Sequence, residues 1–350
     1  MSRTTPTHPP AATPSADPTP PAQNAPELKG RDLLTLTQVT PACVRELFAT
    51  AAALKKNRRL HSTALEGVNA VLIFEKASLR TRITFETGVG MLGGRAVYMD
   101  HSVQRLGDRE AVKDYARNLE RWMDCIIARV YSQQIIEELA FHTRVPVINA
   151  LSDRFHPCQG LADLFTLWER TGGTMRCDGH RLRVAYVGDG NNVCHSLMHC
   201  ATMLGADMTV VSPKGYEPEA AVVQQCQAFC AESGATLTVA NKLAAAERHH
   251  AVYTDVWVSM GQADSAGKRR KVFNAYQVNM DVMDTASRGL PAAWGAGVAP
   301  GRAVFMHCLP AQRGVEVTDD VIDAPFSVVY DQAENRLHAQ NALMYHILKP

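Results

Sequence analysis

From about residue 31, short apolar runs with strand character alternate with longer amphipathic stretches, and the series runs twice along the chain. The first series places strands at Val68–Phe74, Ala96–Met99, Cys125–Val130 and Val145–Asn149, with helices near 81–92, 109–123 and 132–142. Thr40-Pro41 opens an earlier helix running to about Asn57, with Thr as N-cap and Pro in the first helical position. A polar, Gly-containing stretch at Thr171–Arg181 reads as a linker. The second series has strands at Leu182–Val187, Met208–Ser212, Thr236–Val239, Ala251–Val256 and Ala303–His307, with helices at 191–204, 217–233 and 269–284. Ala333–Leu348 reads as one amphipathic helix. Strands spaced by helices predict an α/β chain of two domains, each a mostly parallel sheet flanked by helices, with a cleft between them. The expected division is 27–170 and 171–332.

The length, 350 residues, suffices for two such cores, and 46% hydrophobic with 20% charged residues is the composition of a globular chain. Positive and negative side chains nearly cancel, leaving a formal charge of +1. That balance gives no reason to expect nucleic acid or an anionic membrane as partner, so any anion must be held by local groups. No apolar run approaches the ~20 residues of a membrane span. Nine scattered cysteines without a C-x-x-C pair fit a reduced, cytoplasmic setting. Cys226 and Cys230, four apart, share a helix face and read as packing. Residues 1–26 hold eight of the eighteen prolines and read as a disordered extension. A transit peptide is the weaker reading, because Arg3 is the only basic residue there apart from His8.

In open α/β sheets, ligands gather outside the carboxyl ends of the strands. The first series carries Ser78, Arg80, Thr81 and Arg82 where a strand turns into a helix, a place where backbone N–H groups and the helix dipole favour an anion. A capped helix start with solvated arginines would look the same. Arg129 at a strand end, and His156-Pro157-Cys158-Gln159 at another helix start, shift that balance toward a phosphate and a carbonyl held together. No His or Cys cluster has metal-ligand spacing, and no cofactor is expected.

Leu182–Val187 runs into Gly188-Asp-Gly190-Asn191-Asn192, which tests a nicotinamide-dependent oxidoreductase. The fingerprint G-x-G-x-x-G fails at Val193, and the next strand ends in Ser212-Pro-Lys214 without the expected acid.

Phe74-Glu-Lys-Ala-Ser-Leu-Arg-Thr-Arg82 with His156-Pro-Cys-Gln159 resembles the carbamoyl-phosphate site of the aspartate/ornithine carbamoyltransferase family. Asp255-Val-Trp-Val-Ser-Met-Gly261, Ser212-Pro-Lys-Gly-Tyr-Glu-Pro218 and His307-Cys-Leu-Pro310 are similar to its ornithine-using members, and the resemblance spans about residues 31–350. It implies transfer of a carbamoyl group from carbamoyl phosphate to the side-chain amine of L-ornithine, giving L-citrulline and phosphate in arginine biosynthesis. Ser78, Leu79 through its backbone, Arg80, Thr81, Arg129, His156, Gln159 and Arg336 would hold carbamoyl phosphate. Arg336 on the last helix implies that this helix crosses back to the first domain. Asn192, Asp255, Ser259 and the backbone of Met260 would hold the α-carboxylate and α-ammonium of ornithine. Cys308 and the Leu309 carbonyl would face the reacting amine. Arg129, His156, Cys308 and Asp255 are the expected catalytic set. The family builds trimers, and either Gln104 or Arg105 would reach a neighbouring subunit's site. The commonest family residue at position 79 is Thr; since the expected contact is main-chain, Leu79 should change little. Putrescine or N-acylated ornithine as acceptor, and a non-catalytic ligand sensor, are the other readings.

Overall fold

A computed structural model describes residues 28–258 and 266–349. The first helix, α1 (Pro41–Lys56), starts as its sequence dictates: the Thr40 side chain accepts the Cys43 N–H at 3.2 Å and Pro41 occupies the first turn. β1 (Asn69–Phe74), α2 (Leu79–Met91), β2 (Arg95–Asp100), α3 (Val112–Leu119), β3 (Cys125–Arg129), α4 (Gln133–His142), β4 (Val147–Leu151) and α5 (Pro157–Arg170) follow. Their strands form one parallel sheet in the order β2-β1-β3-β4. β1 and β4 are buried on both faces because helices cover both sides of the sheet.

A small antiparallel hairpin, β5 (Arg176–Cys177) with β6 (His180–Arg181), occupies the expected linker. Then come β7 (Arg183–Val187), α6 (Asn192–Met203), β8 (Asp207–Val211), α7 (Ala220–Ser233), β9 (Leu237–Ala240), β10 (Ala251–Thr254), α8 (Ala266–Phe273), α9 (Met280–Ser287), β11 (Val304–His307), α10 (Asp319–Ile322) and α11 (Val329–Leu348). The second parallel sheet runs β11-β10-β7-β8-β9.

One expectation fails in detail. The single helix at 269–284 is two helices, because Val278 is drawn into backbone pairing: its N–H bonds Glu316 O and its carbonyl takes the Thr318 N–H. Asn279 then restarts the helix as a cap, its side chain accepting the Val282 N–H at 3.1 Å. The last helix begins at Val329, earlier than Ala333.

The two sheets meet through α5 and α6. A β-carbon at Gly160 on α5 would lie 2.7 Å from the Ser196 carbonyl on α6, so only glycine permits this approach. The His156 N–H adds a 2.8 Å bond to Ser196 Oγ. α11 leaves the second sheet and packs on α1, α2 and α5. The chain thus places the ends of β1, β3 and β4 opposite those of β7, β10 and β11, across one cleft.

Candidate active site

The turn after β1 and the start of α2 form the first wall. Ser78 is the N-cap of α2, its Oγ accepting the Thr81 N–H at 3.4 Å, which leaves the N–H groups of Leu79 and Arg80, both lining the cleft, outside the helix's own bonding. Leu79 is the first helical residue and its side chain is 75% exposed, as suits a position that contributes backbone. Arg129 ends β3, beside Phe74 of β1. α11 delivers Arg336, which is buried and donates to Gln159 Oε1 at 2.7 Å, Gln340 Oε1 at 2.9 Å and Thr81 Oγ1 at 3.3 Å.

Three guanidinium groups therefore face one space. The Arg129 group is pushed down to about 10, first by burial and then by Arg336 and Arg80. Arg80 and Arg336 are also lowered, each chiefly by burial. Crowded like charges of this kind gain from an entering dianion. His156 stands at the N-cap position of α5, yet its side chain makes no capping bond, and its buried Nδ1 has no hydrogen-bond partner. Burial, then Arg336 and Arg129, holds its pKa well below 6.5, so the imidazole is neutral at pH 7.

The opposite wall comes from the second sheet. Asn191 caps α6, and its Nδ2 donates to Asp255 Oδ2 at 2.8 Å. Asn192 Nδ2 is turned to the Ser152 carbonyl at 2.5 Å. Asp255 follows β10, and its Oδ1 accepts the Cys308 thiol at 3.0 Å. Burial first, then the Asp255 charge and hydrogen bond, raises the Cys308 pKa well above that of an ordinary thiol, so Cys308 is a protonated donor and not a thiolate base. Leu309 sits at φ 58°, a left-handed conformation that costs a residue with a β-carbon about 1–2 kcal/mol. Its N–H bond to His307 Nδ1 at 2.8 Å helps to hold it there.

The walls enclose a cavity of about 500 Å³. Ser78, Leu79, Arg80, Thr81, Arg129, His156, Gln159, Asn192, Asp255, Cys308, Leu309 and Arg336 all line it. Ser259 and Met260 lie outside the described residues. Gln104 and Arg105 do not line this cavity; Arg105 instead stacks its guanidinium 4.1 Å from the Tyr131 ring centre. The sequence reading missed Lys76 and Gln312, which also line the cavity, and Asn191, which holds Asp255. It also missed Asp163, a wholly buried carboxyl group on α5 pushed up to about 7, chiefly by burial. An acid one turn after Gln159, inside the apolar run Leu161–Phe165, was the available signal.

Two chemical alternatives meet the geometry here. Asp255, His307 and Cys308 bring potential metal ligands within 4.8 Å of one another. Both ring nitrogens of His307 are already engaged, Nδ1 by Leu309 and Nε2 by Glu316 Oε1 at 3.3 Å. The Gly188-Asp-Gly190 turn could suggest a dinucleotide. The space against Gly190 is filled by Glu217 and Pro218, which a β-carbon at 190 would strike, and the Gly190 N–H bonds Tyr216 O at 2.9 Å. The glycine that would admit a pyrophosphate is used to admit the chain's own backbone.

Known proteins agree with this layout. Residues 31–169 match the family described as aspartate/ornithine carbamoyltransferase, carbamoyl-P binding domain, and residues 180–347 match its Asp/Orn binding domain. The chain belongs to the aspartate/ornithine carbamoyltransferase family. Within that family it is 46% identical over 324 residues to an ornithine carbamoyltransferase of Pyrococcus horikoshii, covering 92% of this chain and 96% of the relative. It is 44% identical over 321 residues to that of Deinococcus radiodurans, covering 92% and 97%. The solved ornithine carbamoyltransferase of Pyrococcus furiosus superposes with a TM-score of 0.83 at 45% identity, covering 92% of this chain and 98% of that one.

Proposed function

We propose that this chain transfers the carbamoyl group of carbamoyl phosphate to the side-chain amine of L-ornithine, giving L-citrulline and phosphate. The observation that carries the reading is a single cavity with a guanidinium-lined end and an end bearing Asp255 and Cys308. Arg80 feels the charge of Asp255 across the shared cavity, so the two ends are close enough for bound partners to meet.

Carbamoyl phosphate carries its own leaving group, so direct attack by an amine needs no covalent intermediate. The amine must be neutral; for a group of lysine-like pKa, about 10.4, this costs about 4.6 kcal/mol at pH 7. The three guanidinium groups lower that cost by disfavouring a second positive charge beside the carbonyl. As the amine attacks, negative charge grows on the carbonyl oxygen, where Arg129, Thr81 and neutral His156 are the assigned donors. Phosphate leaves toward Ser78, the α2 N-terminus, Arg80 and Arg336, and takes up the surplus proton. Asp255 and Asn192, with Ser259 and Met260, hold the amino-acid end of ornithine. Cys308 and the Leu309 carbonyl orient the reacting amine.

The working unit in this reading is a homotrimer in the cytoplasm. Gln104 and Arg105 lie on an exposed loop beside Val103, which is 98% exposed, away from their own cavity and suited to a neighbour's. The nine free thiols support the compartment, and no described helix is long and apolar enough to cross a membrane. The carbamoyl-phosphate domain spans 27–170 with the C-terminal residues 333–350, and the ornithine domain spans 171–332.

The test is citrulline formation from carbamoyl phosphate and ornithine, run beside aspartate, putrescine and N-acetylornithine. Faster turnover of any of those three removes ornithine as acceptor, and no product from ornithine or from any of the three makes the chain a ligand sensor. A fully active monomer would remove the trimer.

A further inference from the structure

Gln159 lines the cavity beside Thr81, Arg129 and His156, where the carbamoyl group lies in the proposed reading, and a glutamine can present either an oxygen or an NH2. Its side chain is fixed from both ends. Arg336, which can only donate, gives an N–H to Gln159 Oε1 at 2.7 Å, and Gln159 Nε2 donates to Asp163 Oδ1 at 2.7 Å. The same Oδ1 accepts Gln332 Nε2 at 2.6 Å, while Gln332 Oε1 accepts the His307 N–H at 3.0 Å. Backbone N–H at one end and guanidinium at the other allow only one polarity, with both amide NH2 groups turned to Asp163. Asp163, Gln159, Gln332 and His307 are each at most 1% exposed, so water is a poor substitute partner.

We propose that Asp163 is a positioning residue that makes Gln159 an obligatory acceptor toward the cavity, and thereby selects a donor phosphate bearing an N–H2 group over an isosteric acyl phosphate. The proposal rests on the carbamoyl-transfer reading above. A phosphate dianion draws Arg336 toward itself, and Asp163 is then the group that keeps the amide the same way round. An acetyl group has a methyl where carbamoyl has NH2, and it offers nothing to Gln159 Oε1. Through Gln332 the same carboxyl group also ties the carbonyl-recognition end of α5 to the backbone that carries Cys308.

The experiment is calorimetric titration of the full-length protein with carbamoyl phosphate and, separately, with acetyl phosphate, for wild type, Asp163→Leu and Asp163→Asn. In Asp163→Leu, carbamoyl-phosphate affinity should fall about tenfold, the scale of one well-placed hydrogen bond, while acetyl-phosphate affinity moves less than about threefold. Asp163→Asn keeps an oxygen acceptor and should restore most of the preference. Should Asp163→Leu not fold, Asp163→Ala serves, since it too removes the fixed acceptor for both amide NH2 groups. Equal loss of both ligands, an unchanged preference, or a wild type indifferent between the two would overturn the proposal. A wild type that prefers carbamoyl phosphate but forms no citrulline would defeat the transfer reading and leave the preference measurable.

Discussion

Replacing Asp255 by asparagine tests which amine of ornithine this residue holds. Asp255 is the one acidic side chain among the described residues lining the cavity, where Lys76, Arg80, Arg129 and Arg336 are all basic. Its two oxygens already accept Asn191 Nδ2 at 2.8 Å and Cys308 Sγ at 3.0 Å, so the carboxylate is fixed before substrate arrives. A hydrogen bond to a charged group contributes about 1.5–3 kcal/mol, so losing the charge should raise the ornithine KM about 10- to 150-fold. Asn191 would also face a side chain with one acceptor in place of two. At saturating ornithine, kcat should stay within about tenfold of wild type if Asp255 holds only the non-reacting α-ammonium. Initial rates with ornithine varied at saturating carbamoyl phosphate measure both constants. Binding of 2-aminopentanoate, which is ornithine without its reacting amine, should weaken by the same factor as KM. A fall in kcat at constant KM, with 2-aminopentanoate bound as tightly as before, would put Asp255 on the reacting amine and refute the assignment.

Arg129→Ala should lower kcat about 100-fold or more, the scale of removing one donor from a growing oxyanion, and near-normal turnover would take Arg129 out of the mechanism. The rate at limiting ornithine should climb throughout pH 6 to 9 as the substrate amine loses its proton, because His156 is held well below this window and Cys308 well above it, while Asp163, at about 7, completes its own deprotonation in the lower half. A flat profile would contradict that. Gly160→Ala, whose β-carbon meets the Ser196 carbonyl at 2.7 Å, should cost about 1–3 kcal/mol in a denaturant titration by prying α5 from α6. Unchanged stability would mean that the seam between the sheets yields more readily than its contacts imply.

Much of the fold could be read directly, since the central strands are buried on both faces and appear as unbroken apolar runs, as in Val71–Phe74 and Ile126–Ala128. Local chemistry fixed helix starts equally well, as at Thr40-Pro41. What failed was the break between α8 and α9, set by a backbone pairing of Val278 with residues about forty positions away. Side chains that line the cavity were legible because they sit in dense motifs at strand ends. Asp163 and Gln332 were not, since an isolated polar residue on a buried helix face reveals its purpose only when the partner helix is seen. The neutral state of His156 was equally hidden, because it depends first on burial and then on Arg336, which is 180 positions further along the chain.

The placement of Arg336 on α11 bears on how the protein is made. Until Val329–Leu348 has been synthesised, the faces of α1, α2 and α5 that this helix covers stand open, and the end of the cavity proposed to hold phosphate lacks one of its three guanidinium groups. A nascent chain with both sheets complete would still bind carbamoyl phosphate poorly and would expose apolar surface to chaperones. Ligand added during translation would therefore rescue only finished chains, and shortening the C-terminal helix would impair the donor site at the far end of the sequence before it touched the acceptor loop.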